Sequence, residues 1–221
     1  SGNATVSTAR IEQDLSPQAM IFITLGMMML LGFSFYHFID AATIPSGIAW
    51  LLVIVCVLLT VIIGFLVAAA CGYMAGLVGS SSSPISGIGI ISIIIISLVL
   101  LLIGESGGLF ADDGNRRFLL ALTLFCGSAV VCVASISNDN LQDLKTGYLL
   151  QATPWRQQVA LIIGVVVGAI VVAPVLQLLY QAYGFPDAMP RAGMNPAQAM
   201  SAPQATLMKS ITTGIFKHDL Q

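Results

Sequence analysis

The feature that most constrains this chain is a series of long apolar runs whose bodies contain no charged residue. We mark five of them: Gln18 to Tyr36, Gly47 to about Val78, Ile85 to Ile103, Phe118 to Ser135, and Val159 to Tyr180. A membrane-spanning helix needs about 20 mostly apolar residues. The runs also lack the alternation of polar and apolar residues that a membrane β-strand requires. The sequence therefore predicts an all-α, polytopic transmembrane helical bundle with about five spanning helices.

Composition supports this class, because 57% of the 221 residues are hydrophobic and only 8% are charged. A soluble domain carries about 25% charged residues, so this inventory cannot cover a surface that faces water. We divide the chain into a polar N-terminal segment, residues 1–17, a transmembrane region, residues 18–180, and a polar loop with a short terminal segment, residues 181–221. Neither end resembles a natural terminus, and we expect both to be cuts through a longer chain.

The second apolar run is too long for one straight crossing, since a spanning helix uses about 17 to 25 residues. We expect it to tilt, bend or continue beyond the hydrocarbon. Ala68, Gly72 and Gly76 place small residues on one face, which favours close contact with a neighbouring helix. The four cysteines lie inside apolar runs and are interpreted as packing residues: Cys56, Cys71, Cys126 and Cys132.

Enzymatic chemistry has little support in this sequence. No phosphate-binding G-x-x-x-x-G-K-[ST] loop occurs. The two histidines, His37 and His218, lie outside the bodies of the apolar runs, so an intramembrane hydrolase would lack its base. We therefore predict no enzyme activity, no cofactor and no metal site.

The stretch "GSSSSPISG", residues 79–87, joins the second and third runs without a single charge. Pro84 lacks a backbone donor, Gly79 and Gly87 permit unusual dihedral angles, and serine hydroxyls can satisfy freed backbone groups. Irregular backbone at membrane depth is tolerated only where it is buried in protein or lines water. The stretch predicts a broken helix or a re-entrant segment, and a short polar turn at the membrane surface is the alternative.

A second polar stretch, "SISNDNLQDLKTGYLLQATPWRQQ", lies between the fourth and fifth runs. Asp139 is predicted to cap a short amphipathic helix, which Pro154 prevents from continuing. Asp139 and Asp143 fall at positions i and i+4, where like charges repel. If partly buried, this pair would call for a cation, a proton or a basic partner such as Lys145. An exposed loop with ordinary charges is the alternative.

Three blocks in this order resemble signatures of the oligopeptide transporter (OPT) family, in particular its prokaryotic branch. They are "VGSSSSPISGIGI", "SNDNLQDLKTGYLLQATPWRQQVALIIG" and "APQATLM", spread over residues 78–208. The resemblance implies a secondary transporter that moves small peptides, or metal chelates in related branches, by alternating access and driven by the proton gradient. It further implies that this chain is an internal portion of a longer, multi-pass protein of the bacterial cytoplasmic membrane.

We predict that the two polar stretches contact substrate. The candidates are Ser81, Ser82, Ser83, Pro84, Ser86, Gly87, Asn138, Asp139, Gln142, Asp143 and Lys145. The candidates for proton coupling are Asp139, Asp143 and Glu105, because titratable groups near apolar segments are functional by default if they enter the membrane.

The expected partners are a peptide or metal-chelate substrate, protons, the lipid bilayer and the remainder of the transporter, with no nucleic acid. A structural membrane subunit and a channel are the rival classes. The basic residues divide three against five between the two sides, so the positive-inside rule leaves the orientation open.

Overall fold

The computed structural model describes residues 12–40, 44–79, 83–187, 189–195 and 197–217. It contains six α-helices: α1 (Pro17–Asp40), α2 (Ser46–Val78), α3 (Ile85–Ser106), α4 (Asp113–Leu149), α5 (Pro154–Ala182) and α6 (Pro203–Lys217). The first five are long and apolar enough to cross a membrane. No strand occurs in these residue ranges. The predicted all-α class and the five predicted spans are confirmed.

Helices α2 and α4 form the most extensive contact of the bundle and run in the same direction. Thr60 Oγ1 lies 3.2 Å from Cys126 Sγ, and further along both helices Ser137 Oγ donates a hydrogen bond of 2.7 Å to the carbonyl of Ala68. Residue numbers therefore rise together along the interface. Two parallel neighbours need a third helix to bring the chain back, and α3 supplies that return.

Helix α3 packs against α4 in the opposite direction, because Gly89 lies beside Val131 whereas Gly104 lies beside Leu119. The buried core is built mainly from these three helices. Its side chains with no exposed surface include Leu52, Ile96, Leu100, Leu119, Leu122 and Val130. Helix α1 adds aromatic contacts, with the Phe38 ring stacked on Phe118 at a centroid distance of 5.4 Å.

Helix α4 corrects one expectation. It is a single helix of 37 residues, and the capping group at its start is Asp112, whose carboxylate accepts a hydrogen bond from the Asn115 amide. The predicted separate helix capped by Asp139 is wrong, since Asp139 lies in the interior of α4. Helical hydrogen bonds are local, so polar side chains after Ser135 end the apolar surface without ending the helix.

Helix α5 begins with Pro154 at its first positions, where the missing N–H is harmless. It buries no residue along its length, and it touches α4 near its start, where Gln157 lies against Gly147. Helix α6 was not predicted from the sequence. It has 15 residues, fewer than a span requires, and lies on α3 and α4.

Candidate functional site

The two polar stretches identified in the sequence meet through Ser83 and Asn138. The Ser83 hydroxyl donates a hydrogen bond of 2.6 Å to the side-chain oxygen of Asn138. Asn138 is 4% exposed, and Ser83 is half-buried. A buried amide oxygen without a partner would be unfavourable in this apolar setting, so the hydroxyl fixes the start of α3 against α4.

Along the axis of α2, Ser83 lies deeper in the bundle than the last residue of that helix. Its hydroxyl also lies 3.3 Å from the carbonyl oxygen of Cys71, whereas α2 continues to Val78. At the helical rise of about 1.5 Å per residue, Ser83 sits about 10 Å back from the end of α2. A serine hydroxyl thus reaches a backbone carbonyl of α2, as expected for a polar segment enclosed by apolar helices.

A second hydroxyl strengthens the same contact between α2 and α4. Ser137, next to Asn138, donates to the carbonyl of Ala68, and Gly72 provides the space for it. A Cβ atom on Gly72 would lie 2.9 Å from Ser137 Oγ and 3.2 Å from the nearest Leu141 carbon atoms. The packing role of Gly72 was predicted from its sequence spacing, whereas nothing in the sequence distinguished Ser137 from other serines.

The backbone of the first polar stretch agrees only in part with the prediction. Gly79 has φ 102°, a left-handed value that favours glycine, and Pro84 immediately precedes α3. Gly87 was expected to adopt an unusual conformation, but it lies within the first turns of α3. Helices α2 and α3, on either side of the stretch, are antiparallel and each is long enough to span, and the broken or re-entrant segment between them stays a prediction. Ser81 and Ser82 lie outside the described residues.

Ser86 contacts a residue that the sequence analysis did not assign. It is exposed, and its hydroxyl lies 3.4 Å from the side-chain oxygen of Gln204 at the start of α6. Gln204 belongs to the block "APQATLM", and membership of that block was the only indication in the sequence that Gln204 lies near the candidate site. The α6 contact brings all three resembling blocks to the same end of the bundle.

The other candidates of the second stretch lie beyond Asn138 on the last turns of α4. Asp139, Gln142, Asp143 and Lys145 are all exposed. Asp139 and Asp143 are one turn apart, and within the described part of the chain no ion pair joins either to Lys145. Glu105 lies at the far end of α3, so the structure separates it from the two aspartates.

An open cleft of about 440 Å³ adjoins the polar cluster between α1, α2, α4 and α5. Ser137 and Asn140 of α4 reach it, together with Thr24 of α1 and Gln158 of α5. Gln158 is fixed by a hydrogen bond of 3.3 Å that its amide nitrogen donates to Asp14. The cleft offers amide and hydroxyl groups within a mainly apolar wall and contains no basic side chain.

Metal-ligand types do not gather in this region. Among the residues with described positions, no three His, Cys, Asp or Glu side chains form a group suited to a metal ion. The arrangement can therefore be characterised by neutral hydrogen-bonding groups inside the bundle and carboxylates at its rim.

Comparison with known proteins shows which family this chain resembles. A family profile described as OPT oligopeptide transporter protein matches residues 8–221. A Haemophilus influenzae protein provisionally named an oligopeptide transporter is 61% identical over 220 residues, which cover 100% of this chain and 35% of that protein. A probable metal-nicotianamine transporter of rice (Oryza sativa subsp. japonica) is 34% identical over 76 residues, 34% of this chain and 10% of the rice protein. No solved structure matches.

The chain thus spans about a third of the length of its Haemophilus relative while matching it from end to end. The family profile covers all of the described helices, including the three blocks that meet around Ser83, Asn138 and Gln204. The chain belongs to the OPT oligopeptide transporter family.

Proposed function

We propose that this chain forms part of a secondary active transporter that carries small peptides across a bacterial cytoplasmic membrane by alternating access, coupled to protons. The proposal rests above all on the Ser83–Asn138 hydrogen bond, which joins two polar blocks of an otherwise apolar bundle. Membership of the OPT family and the name of the Haemophilus relative supply the substrate class.

The neutral groups around Ser83 suit the peptide backbone. A peptide presents N–H donors and C=O acceptors at regular spacing, and a transporter must satisfy them without holding them too tightly. Hydroxyl side chains such as Ser83 and Ser86 can do both, and the buried amide of Asn138 holds Ser83 in place. Transporters often place substrate near helix ends, and the end of α2 and the start of α3 meet this polar cluster.

The charged groups beyond Asn138 are assigned to the termini of the peptide and to coupling. Lys145 suits a carboxylate, whereas Asp139 and Asp143 suit an ammonium group or a proton. Because two carboxylates one turn apart repel each other, binding a proton or a cation relieves the repulsion. Glu105, at the other end of α3, is the less suitable candidate for coupling.

A metal chelate is the second candidate substrate. One observation favours it: the similarity of 76 residues to a probable metal-nicotianamine transporter. The chelate would be recognised as an anionic organic ligand, with the metal ion as cargo held by that ligand. The carboxylates at the rim of α4 would disfavour such an anion, so the peptide is the primary proposal.

The decisive experiment is uptake by the full-length transporter in proteoliposomes. Di- to pentapeptides and metal chelates are compared with and without an inward proton gradient. We expect uptake of peptides against their gradient only when the pH difference is present, and counterflow of labelled peptide when it is absent.

The rival classes give different results in the same assay. A structural subunit would transport nothing under any condition. A channel would pass substrate down its gradient without counterflow. Uptake of chelates alone would transfer the proposal to the second substrate class.

A further inference from the structure

A basic pocket lies at the opposite end of the bundle from Ser83, where the start of α4 meets the end of α6. Its volume is about 400 Å³, and three cations line it: Arg116, Arg117 and Lys217. The one carboxylate in its lining is Asp113, which engages Arg116 at 3.5 Å. The adjacent Asp112 is occupied with the Asn115 amide as the cap of α4. The lining therefore retains a positive excess.

The guanidinium of Arg116 is held in place by groups other than a ligand. Its Nη2 donates to the Phe110 carbonyl at 3.2 Å, and its central carbon lies 5.9 Å from the centre of the Phe110 ring. Its Nε is buried and has no hydrogen-bond partner among the described residues. The donors that an anion can reach are therefore those of the exposed Arg117 and Lys217 beside this fixed cation, and together they favour an anion with several acceptor oxygens.

The position of the pocket along the bundle indicates which kind of anion it would bind. Arg117 immediately precedes Phe118, where the apolar run of α4 begins, so the pocket lies at the boundary between polar and apolar surface. Leu120 and Phe216 form its apolar edge, whereas Arg117 and Lys217 are exposed. Lipid phosphates lie at this level of a membrane, with the acyl chains toward the apolar side. The start of α4 adds the positive end of a helix dipole.

The geometry points to a binding site for the phosphate of an anionic lipid headgroup, formed by Arg116, Arg117 and Lys217 between α4 and α6. The site is independent of the proposed peptide site, which lies at the other end of α3 and α4. Occupation would link the short helix α6 to the start of α4 and so stabilise the bundle.

The test is the thermal unfolding of the full-length transporter in detergent with phosphatidylcholine, to which phosphatidylglycerol is added. We expect the midpoint to rise by about 2 °C near saturation, as for a ligand that binds only the folded state of a large protein. Arg117→Gln should remove most of the shift, and Arg117→Lys should retain most of it. Arg156→Gln, which removes one charge at the opposite end, serves as the matched control and should retain the full shift.

Three results would overturn the assignment. The first is the absence of a shift specific to phosphatidylglycerol in the unaltered protein. The second is an equal loss in Arg117→Gln and Arg156→Gln, which would indicate diffuse attraction. The third is an equal shift with inorganic phosphate at matched ionic strength, which would reassign the pocket to free oxyanions. If Arg117→Gln fails to fold, Lys217→Gln replaces it with the same expectation.

Discussion

Ser83 and Asn138 are 55 positions apart in the sequence, and their side-chain oxygens lie 2.6 Å apart. The bond connects the segment before α3 with the last third of α4, and Asn138 is almost completely buried. The bond therefore links α3 to α4, and substitutions of its two residues test the candidate site directly.

A double-mutant cycle measures this link. We expect Ser83→Ala and Asn138→Ala each to destabilise the full-length protein, because each leaves a polar partner unsatisfied. Their coupling should be roughly 0.5–1.5 kcal/mol, the range for hydrogen bonds between membrane helices. Unfolding in mixed micelles gives the free energies. Ser83→Ala with Asn140→Ala is the control cycle, and a coupling of the same size there would argue against a specific bond.

Gly72 and Gly76 form a matched pair for testing the contact between α2 and α4. Gly72→Ala should destabilise the protein by about 1–3 kcal/mol, because its Cβ would displace Ser137 and Leu141 from a packed interface. A Cβ on Gly76 meets nothing within 4 Å. Gly76→Ala should therefore be neutral or stabilise by up to about 1 kcal/mol through helix propensity. Thermal unfolding of both variants decides the matter, and equal effects would contradict the proposed close contact.

Gly79 tests the backbone conformation at the end of α2. Its φ of 102° is unfavourable for a residue with a Cβ, so Gly79→Ala should lose about 1–2 kcal/mol of stability. Gly87→Ala, inside α3, should be tolerated because nothing lies within 4 Å of its Cβ. The same unfolding assay compares them. A neutral Gly79→Ala would mean that this conformation relaxes in the complete protein.

Accessibility of Ser83 tests the proposed route of the substrate. In a background with exposed Cys132 replaced by serine, Ser83→Cys should react with a water-soluble thiol reagent, and a transported peptide should slow the reaction. Ser92→Cys, at a site 2% exposed, should remain unlabelled. Equal labelling of Ser83→Cys with and without peptide would remove Ser83 from the substrate site.

Proton coupling is tested at the two aspartates of α4. Asp139→Asn or Asp143→Asn should abolish uptake driven by a pH gradient while peptide exchange continues, because the carrier cycle remains but the titrating group is lost. Uptake and exchange are measured in the same vesicles. If Glu105→Gln has this effect and the aspartate variants do not, the coupling group lies at the opposite end of α3.

The spanning helices could be predicted from the length of the apolar runs, whereas the end of α4 and the presence of α6 could not. The five spans follow from stretches such as Phe118 to Ser135, since backbone groups in lipid must be satisfied within a helix. The continuation of α4 to Leu149 was missed because polarity changes at Asn138 although the helical hydrogen bonds do not. Likewise, α6 is too short and too polar to be recognised as a span.

The contacts between helices could not be predicted from the sequence, for a different reason. Hydropathy indicates that Ser83 and Asn138 are unusual in their surroundings, but it carries no information about which helices are neighbours. The packing of Gly72 against Ser137 and of Ser86 against Gln204 likewise depends on the crossing of whole helices. The sequence thus identified individual candidate residues, but it did not show which of them contact each other.

The parallel arrangement of α2 and α4 has a mechanical consequence. The bond from Ser137 to Ala68 joins the two helices directly, and Ser83, whose hydroxyl contacts Cys71 of α2 and Asn138 of α4, is held against both of them. A rigid rotation of this pair would carry Ser83 and Asn138 as one piece, without breaking either bond. A movement of this pair relative to α5, along whose length no residue is buried, would leave both bonds intact.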